Sequence, residues 1–132
     1  TGLVGSGSSQ TAVIGTNCPA SKLTNAGWGA QTVTNFAGSS VAFAMDYGNS
    51  IIFGANATND KNTGPVVAPD EAWSIDTKLD DGKPASGFII ARYWNNTCAA
   101  ADDGSPAFND YVASYRISDS TVRCAIFFRN LF

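Results

Sequence analysis

Residues 69–82 read Pro-Asp-Glu-Ala-Trp-Ser-Ile-Asp-Thr-Lys-Leu-Asp-Asp-Gly and contain the clearest helix signal in the chain. Pro69 suits the first helical turn, and the two acidic residues after it complement the positive end of the helix dipole. Three apolar residues would share one narrow face of this helix, namely Ala72, Ile75 and Leu79. Gly82 suits the left-handed position that follows a helix. The stretch therefore predicts a helix from Pro69 to about Asp80, which is short and needs packing against another element.

Apolar runs on both sides of this helix predict β-strands. Before it, residues 41–45 and 50–53 flank a Tyr-Gly-Asn sequence at 47–49, which is typical of a hairpin loop. After it come three further strand candidates, at 88–94, 111–117 and 122–128. Because a short polar connection joins the last two segments, they are expected to form a second antiparallel hairpin. Their alternating apolar residues indicate a sheet with one buried face.

The rest of the chain predicts a single domain. Residues 1–40 carry no regular pattern, and the Gly/Ser-rich residues 1–10 are expected to be flexible, either as a native segment or as an added linker. The sequence has no internal repeat and no composition shift that would mark a domain boundary. We therefore expect one α+β domain over 1–132, with an antiparallel sheet, a short helix and long loops.

Composition excludes several classes of function. The 132 residues include 8 Lys+Arg and 11 Asp+Glu, giving a formal net charge of −3, and no histidine. The basic residues are scattered, so no stripe is available to neutralise phosphates, and no nucleic-acid partner is expected. The absence of histidine removes the Ser-His-Asp and Cys-His catalytic arrangements and histidine-ligated zinc sites. The chain is therefore not expected to be an enzyme.

Three cysteines allow at most one disulfide within the chain. A bond between Cys98 and Cys124 would close a loop of about 27 residues and stabilise the fold by roughly 3.5 kcal/mol in the chain-entropy model. We expect this bond if the protein is secreted, whereas in the cytosol both residues would be buried free thiols. Cys18 would then be free or bonded to another chain.

Several aspartates are clustered near glycines. Asp76, Asp80 and Asp81 lie at the predicted helix end, and Asp102-Asp103-Gly104 follows later. Hard oxygen ligands of this kind suit Ca²⁺, although the spacing does not match an EF-hand loop and no bidentate glutamate follows. Calcium is therefore a weak cofactor candidate. The alternative is that these aspartates cap the helix end and form Asx turns.

Three tryptophans offer a further binding hypothesis. Trp28, Trp73 and Trp94, together with the tyrosines, would suit a sugar-stacking platform if their rings were exposed together. The alternative is that these rings fill the core and hold loops against it.

Residues 71–87, Glu-Ala-Trp-Ser-Ile-Asp-Thr-Lys-Leu-Asp-Asp-Gly-Lys-Pro-Ala-Ser-Gly, resemble a stretch in the globular heads of bacterial type IV pilin-like proteins. In that family a cysteine, a Tyr-x-x-Ser/Asn segment and a second cysteine with a hydrophobic C-terminus follow. The corresponding parts here are Cys98, residues 115–118 and residues 124–128. The resemblance covers about residues 68–132.

The resemblance implies a head domain that works with a long N-terminal helix. Pilins use this helix as a membrane anchor and as the filament core, and its second half packs against the head's sheet. These 132 residues do not include it, so the helix is expected either to have been removed or to belong to a separate helix-only pilin chain. The membrane would be contacted only through that helix.

The function implied by the resemblance is structural. The protein would be a subunit of a type IV pilus or of a type II secretion-like pseudopilus, and would serve adhesion, motility or secretion with other pilin subunits as partners. It would be found on the periplasmic side of the inner membrane and then in extracellular filaments. The alternative is a secreted β-rich module that binds glycans or surfaces.

Overall fold

An antiparallel sheet and one short helix organise the part of the chain that the computed structural model describes, which is residues 11–39, 42–57, 61–91, 97–100 and 109–131. The elements follow in the order β1 Gly27–Val33, β2 Gly48–Gly54, α1 Pro69–Leu79, β3 Ile89–Ala91, β4 Ala99–Ala100, β5 Ser114–Tyr115 and β6 Ile126–Phe128. This arrangement agrees with the predicted α+β class.

The main sheet has the strand order β1-β2-β6-β3, with every neighbouring pair antiparallel. The longest pairing joins all seven residues of β1 to β2, from Gly27 opposite Gly54 to Val33 opposite Gly48. The last strand, β6, lies between β2 and β3, so the C-terminal segment occupies the middle of the sheet. Strands β4 and β5 form a separate two-stranded sheet.

Each face of the main sheet carries its own apolar cluster. On one face Ile52, Ile90 and Phe127 lie side by side and pack with Phe43 and Tyr47 from the segment that precedes β2. On the other face the fully buried side chains of Ile89 and Ile126 pack with residues of α1 and of the loop before it. Fully burying a side chain of this size contributes about 1.5–3 kcal/mol.

Helix α1 lies where the sequence predicts it, but the set of buried residues on its inner face differs from the prediction by one residue. Pro69 occupies the first turn, and Glu71 accepts a hydrogen bond from the backbone N–H of Ala68 at 2.8 Å. Ala72 is buried, but Leu79 is 65% exposed, and the buried position on its side of the helix is taken by Asp76. A carboxylate is therefore buried about one turn before the leucine that the apolar pattern predicts to be buried.

The first predicted hairpin is wrong. Residues 42 and 45 form only isolated bridges, and Phe43 between them is fully buried as part of an irregular segment. Strand β2 pairs instead with β1 and β6, and β1 lies within residues 1–40, where the sequence predicts no regular structure. The sequence pattern of β1 is weak because two of its first three residues are glycines.

A buried amide explains why glycine is required in β1. The Asn62 side chain is fully buried, and its Nδ2 donates hydrogen bonds of 3.0 Å to the carbonyls of Gly27 and Ile52. A Cβ atom at Gly29 would collide with the Oδ1 of Asn62. The strand therefore depends on a distant side chain that takes the space a larger residue would fill.

The second predicted hairpin is also wrong. Strands β5 and β6 lie in different sheets, because β5 pairs with β4 whereas β6 pairs with β2 and β3. Of the apolar set expected on 111–117, Tyr111 and Ile117 are more than half exposed. Residues 92–94 of the third predicted strand and residues 1–10 lie outside the described residues.

Candidate functional site

Three aspartates meet at the C-terminal end of α1. Carboxylate oxygens of Asp76, Asp80 and Asp81 all lie within 4.8 Å of one another. Negative charge is unfavourable at the negative end of a helix dipole, so these carboxylates need donors from elsewhere in the fold. The hydrogen bonds of each one show what the cluster does.

Asp76 is a fully buried carboxylate that ties the helix to β5. Its Oδ2 accepts a 2.6 Å hydrogen bond from the hydroxyl of Tyr115, and its Oδ1 accepts one of 3.0 Å from the backbone N–H of Gly82. Burial raises the pKa of Asp76 to about 6; the charges of Asp81 and Asp80 also raise it, while the two hydrogen bonds oppose the rise. Burial and the nearby Asp76 raise the pKa of Tyr115 as well, so this phenol remains a proton donor at neutral pH.

Asp80 caps the outer edge of β3. Its Oδ2 accepts hydrogen bonds from the backbone N–H groups of Phe88 and Ile89, the latter at 2.8 Å. The carboxylate reaches this position because Gly87, with a φ of 74°, leaves room for it. A Cβ atom at Gly87 would collide with the Asp80 carboxylate.

Asp81 organises the loop between α1 and β3. Its Oδ1 accepts a 2.8 Å hydrogen bond from the backbone N–H of Lys83, and its Oδ2 accepts one of 2.7 Å from the Ser86 hydroxyl. Gly82 has a φ of 72°, the left-handed conformation expected after the helix. The Asp-Asp-Gly sequence thus encodes a helix stop and a tightly bonded loop.

The hydrogen bonds of the three aspartates determine how many of their carboxylate oxygens are free to bind a metal ion. Both oxygens of Asp76 and both of Asp81 accept hydrogen bonds from protein donors. Ca²⁺ takes six to eight oxygen ligands, and these hydrogen bonds already use part of the acceptor capacity that an ion here would need. The structure brings the three predicted ligands together, and their hydrogen bonds favour the capping alternative. Residues 102–104 lie outside the described residues.

The predicted disulfide is present between Cys98 and Cys124, whose Cα atoms are 5.0 Å apart. It joins the start of β4 to the segment before β6, where Cys124 also pairs with the backbone of Val67 at 2.8 Å. Cys18 is free and buried, and burial raises the pKa of its thiol. The bond is consistent with an oxidising compartment.

Four aromatic side chains form a second site, here called the aromatic patch, on the face of the sheet that α1 covers in part. Its members are Trp28, Phe53, Phe88 and Phe128. Ring centroids are 4.5 Å apart for Trp28–Phe53, 6.1 Å for Trp28–Phe128 and 6.3 Å for Phe88–Phe128. Trp28 is 38% exposed and Phe88 37% exposed, so the patch continues an apolar cluster out into solvent.

The sequence indicates only part of the aromatic patch. It points to Trp28 as a possible stacking residue but places it in an irregular segment rather than in β1. Trp73 is exposed on α1, and Trp94 lies outside the described residues. The partnership of Asp76 with Tyr115 joins residues 39 positions apart, so no local sequence signal could have indicated it.

A surface groove of about 370 Å³ lies near the start of β1. Its lining consists of Ile14, Asn25, Ala55 and Asn56, none of which has a titratable side chain. Asn56 already accepts a 3.0 Å hydrogen bond from the backbone N–H of Ile14 through its Oδ1. The described residues that line the groove therefore offer no acid, base or nucleophile.

Within the residues that the structure describes, no helix combines the length and hydrophobicity needed to cross a bilayer. Comparison with protein-family models, with curated proteins and with solved structures finds no match for this chain.

Proposed function

We propose that this chain is the globular head of a type IV pilin, minor pilin or pseudopilin, and that its function is to assemble into a filament. The observation that carries the proposal is the aromatic patch. It lies on a sheet face that α1 covers only in part, and its exposed members continue the buried cluster around Ile89 and Ile126. Contiguous exposed aromatic surface of this kind is typical of a docking site.

The shape of the patch favours a protein segment as its occupant. Its rings are inclined to one another by 34°, 41° and 65°, so they present ridges and gaps rather than a plane. Side chains of a helix interdigitate with such a surface, as in the interior of a protein. The pilin resemblance supplies a helix in this role, either from the same polypeptide or from a separate helix-only pilin.

The remaining features suit a rigid structural subunit. The disulfide and the three aspartates hold α1, the following loop and the C-terminal strand in one arrangement. The segment that contains β1 suits close packing among neighbouring subunits, because no charged residue lies between Lys22 and Asp46 in the sequence. The proposed location is the periplasmic side of the inner membrane before assembly and the extracellular filament afterwards.

The first test is genetic. The gene is expected to encode a prepilin peptidase site and an apolar helix upstream of Thr1, or to have a neighbouring gene that encodes such a helix alone. Absence of both would refute the proposal.

A second test uses variants in the producing bacterium. Replacing Trp28 and Phe88 by serine is expected to remove the protein from purified surface filaments, while circular dichroism of the isolated variant remains unchanged. Trp73→Ser is the matched control, because Trp73 is 44% exposed on α1 and lies outside the patch. Equal incorporation of both variants would contradict the role of the patch.

Exposure of Trp28 favours one second candidate, a secreted glycan-binding module. A polar pair lies farther along the same face, where the Thr32 hydroxyl donates to the Asn49 side chain at 2.6 Å. Sugar stacking needs one accessible ring face, which Trp28 could offer. Glycan-array binding that is lost in Trp28→Ala and retained in Trp73→Ala would support this candidate over the filament subunit.

A further inference from the structure

The two edge strands of the main sheet, β3 and β1, differ in whether their outward N–H groups are hydrogen-bonded. At the outer edge of β3, the N–H of Ile89 donates to Asp80 at 2.8 Å, and the N–H of Ala91 donates to the carbonyl of Pro84 at 2.9 Å. Both outward donors are therefore occupied, one of them by a charged group. A new strand cannot add to β3 without breaking these bonds.

The outer edge of β1 is covered only at its beginning. The N–H of Trp28 donates to the carbonyl of Pro19 at 2.9 Å, and Gly27 forms a bridge with Ala20. Since strand N–H groups alternate in direction, those of Ala30 and Thr32 also point away from β2. Within the described part of the chain, neither residue has a backbone partner on that side.

This open edge has none of the usual protection against strand addition. Natural edge strands are blocked by lysine, proline, inward charges or bulges. Strand β1 contains no charged residue and no proline, and it pairs with β2 without a break over seven residues. The nearest charged residues in sequence are Lys22 and Asp46.

A buried acceptor between the two open positions also lacks a donor among the described residues. The Oε1 of Gln31 is covered by protein and accepts no hydrogen bond. A buried acceptor without a donor costs free energy, because it has lost its hydrogen bonds to water. An amide donor brought to this edge would remove the cost once the Gln31 side chain turned toward it.

We infer that β1 pairs antiparallel with β1 of a second copy of this chain, with Gln31 on the two-fold axis. Ala30 of each copy then lies opposite Thr32 of the other, and the four open N–H and C=O pairs form four hydrogen bonds. The two Gln31 residues form the non-hydrogen-bonded pair between them, where side chains approach most closely. Two four-stranded sheets become one sheet of eight strands.

The closed edge of β3 is the reason for choosing a second copy in this symmetric arrangement. In the described part of the main sheet, a copy of the chain offers an open edge only at β1, so the contact through this sheet is isologous and stops at a dimer. The net charge of −3 does not oppose the contact locally, because the edge itself is neutral. This pairing uses the edge of the sheet and is independent of the proposed role of the aromatic patch on its face.

The inference is tested by sedimentation velocity from 5 µM to 1 mM. Because a contact through one short strand is smaller than a standard interface, we expect a weak dimer with Kd on the order of 0.1 mM. Thr32→Lys places a charge at the contact and is expected to raise Kd at least tenfold. Trp73→Lys places the same charge at an exposed position of α1, outside the strand, and is expected to alter Kd less than twofold.

Crosslinking tests the register. Gln31→Cys is expected to give a disulfide-linked dimer under mild oxidation, whereas Thr34→Cys and the wild type, whose free Cys18 is buried, remain monomeric on a non-reducing gel. A monomer at 1 mM, equal effects of the two lysine variants, or equal crosslinking of the two cysteine variants would overturn the inference. So would a dimer that is lost in Phe88→Ser but kept in Thr32→Lys, because the aromatic patch would then be the contact.

Discussion

The hydroxyl of Tyr115 donates a 2.6 Å hydrogen bond to the carboxylate of Asp76, and both side chains are buried between α1 and the two-stranded sheet. This contact links the helix to β5, and β5 in turn is linked to the disulfide, because the N–H of Arg116 donates to the carbonyl of Cys98. The pair therefore places a titratable carboxylate in the contact between α1 and β5.

Stability should fall as pH rises through the range in which Asp76 ionises. Its pKa is about 6 in the folded protein against 3.8 ordinarily, so the folded state binds more protons than the unfolded state between about pH 4 and pH 6. The free energy of unfolding is therefore expected to decrease by about 1–3 kcal/mol across this window, with no further contribution from Asp76 above it. Urea denaturation at closely spaced pH values measures the change.

Asp76→Asn isolates this contribution from those of the other carboxylates. The amide retains one acceptor oxygen, and its NH₂ group can donate to the Tyr115 hydroxyl, so the contact survives without a charge. The stability of the variant relative to wild type is expected to improve as pH rises from 4 to 6. A parallel pH dependence in both proteins would show that Asp76 does not ionise in this range.

Removing the Tyr115 hydroxyl should destabilise the protein most when Asp76 is ionised. Tyr115→Phe leaves the Asp76 Oδ2 buried without its donor, which we expect to cost about 1–3 kcal/mol at pH 7 and less at pH 4, where Asp76 is protonated. Tyr111→Phe is the matched control, because the Tyr111 hydroxyl also donates at 2.6 Å, to Ala44, but from a residue that is 51% exposed. A larger loss for Tyr111→Phe, or a pH-independent loss for Tyr115→Phe, would contradict the assignment.

Gly87 and Gly15 both have a left-handed backbone, but only at Gly87 would an added Cβ atom also collide with another side chain. Comparing alanine variants of the two glycines therefore distinguishes the cost of backbone strain from the cost of the collision. Gly87→Ala is expected to cost more than about 2 kcal/mol, because the new Cβ would displace the Asp80 carboxylate from the edge of β3. Gly15 has a φ of 85° and open space around it, so Gly15→Ala should cost only the backbone term of about 1–2 kcal/mol. Thermal melting of both variants measures the difference, and equal losses would argue against the capping role of Asp80.

The disulfide should contribute about 2–4 kcal/mol to stability. Replacing Cys98 and Cys124 together by alanine is expected to lower the melting temperature by the amount that corresponds to this loss of free energy. Peptide mass spectrometry without reduction should identify the crosslink.

Cys18 should resist thiol reagents in the folded protein and react after denaturation, because it is buried. Rapid labelling of native Cys18, or a crosslink to it, would contradict this arrangement.

Calcium should have little effect on the folded protein. Protein donors occupy both oxygens of Asp76 and of Asp81, so we expect the melting temperature with millimolar Ca²⁺ to lie within about 1 °C of that with a chelator. Asp81→Asn serves as the control for any shift. A stabilisation of several degrees that disappears in Asp81→Asn would instead establish the aspartate cluster as a metal site.

Helix α1, its stop at the Asp-Asp-Gly sequence and the Cys98–Cys124 bond were all predictable. The helix and its stop depend on contacts within a few residues, and the bond is the one expected, among three possible pairings, if the protein is secreted. The hairpins were not predictable by the same reasoning. Short connections suggested that neighbouring strands pair, yet β5 and β6 pair with strands elsewhere in the chain.

The candidate sites also contain features that the local sequence predicts and features that depend on distant contacts. The sequence alone determined that three aspartates would gather at a helix end, because helical spacing and a short loop bring them together. Only the tertiary structure decided that Asp76 faces Tyr115, that Asp80 closes one sheet edge, and that the other edge stays open at β1. The physical reason is that helix hydrogen bonds close locally, whereas strand partners and buried polar contacts are chosen among all distant segments that compete for the same core.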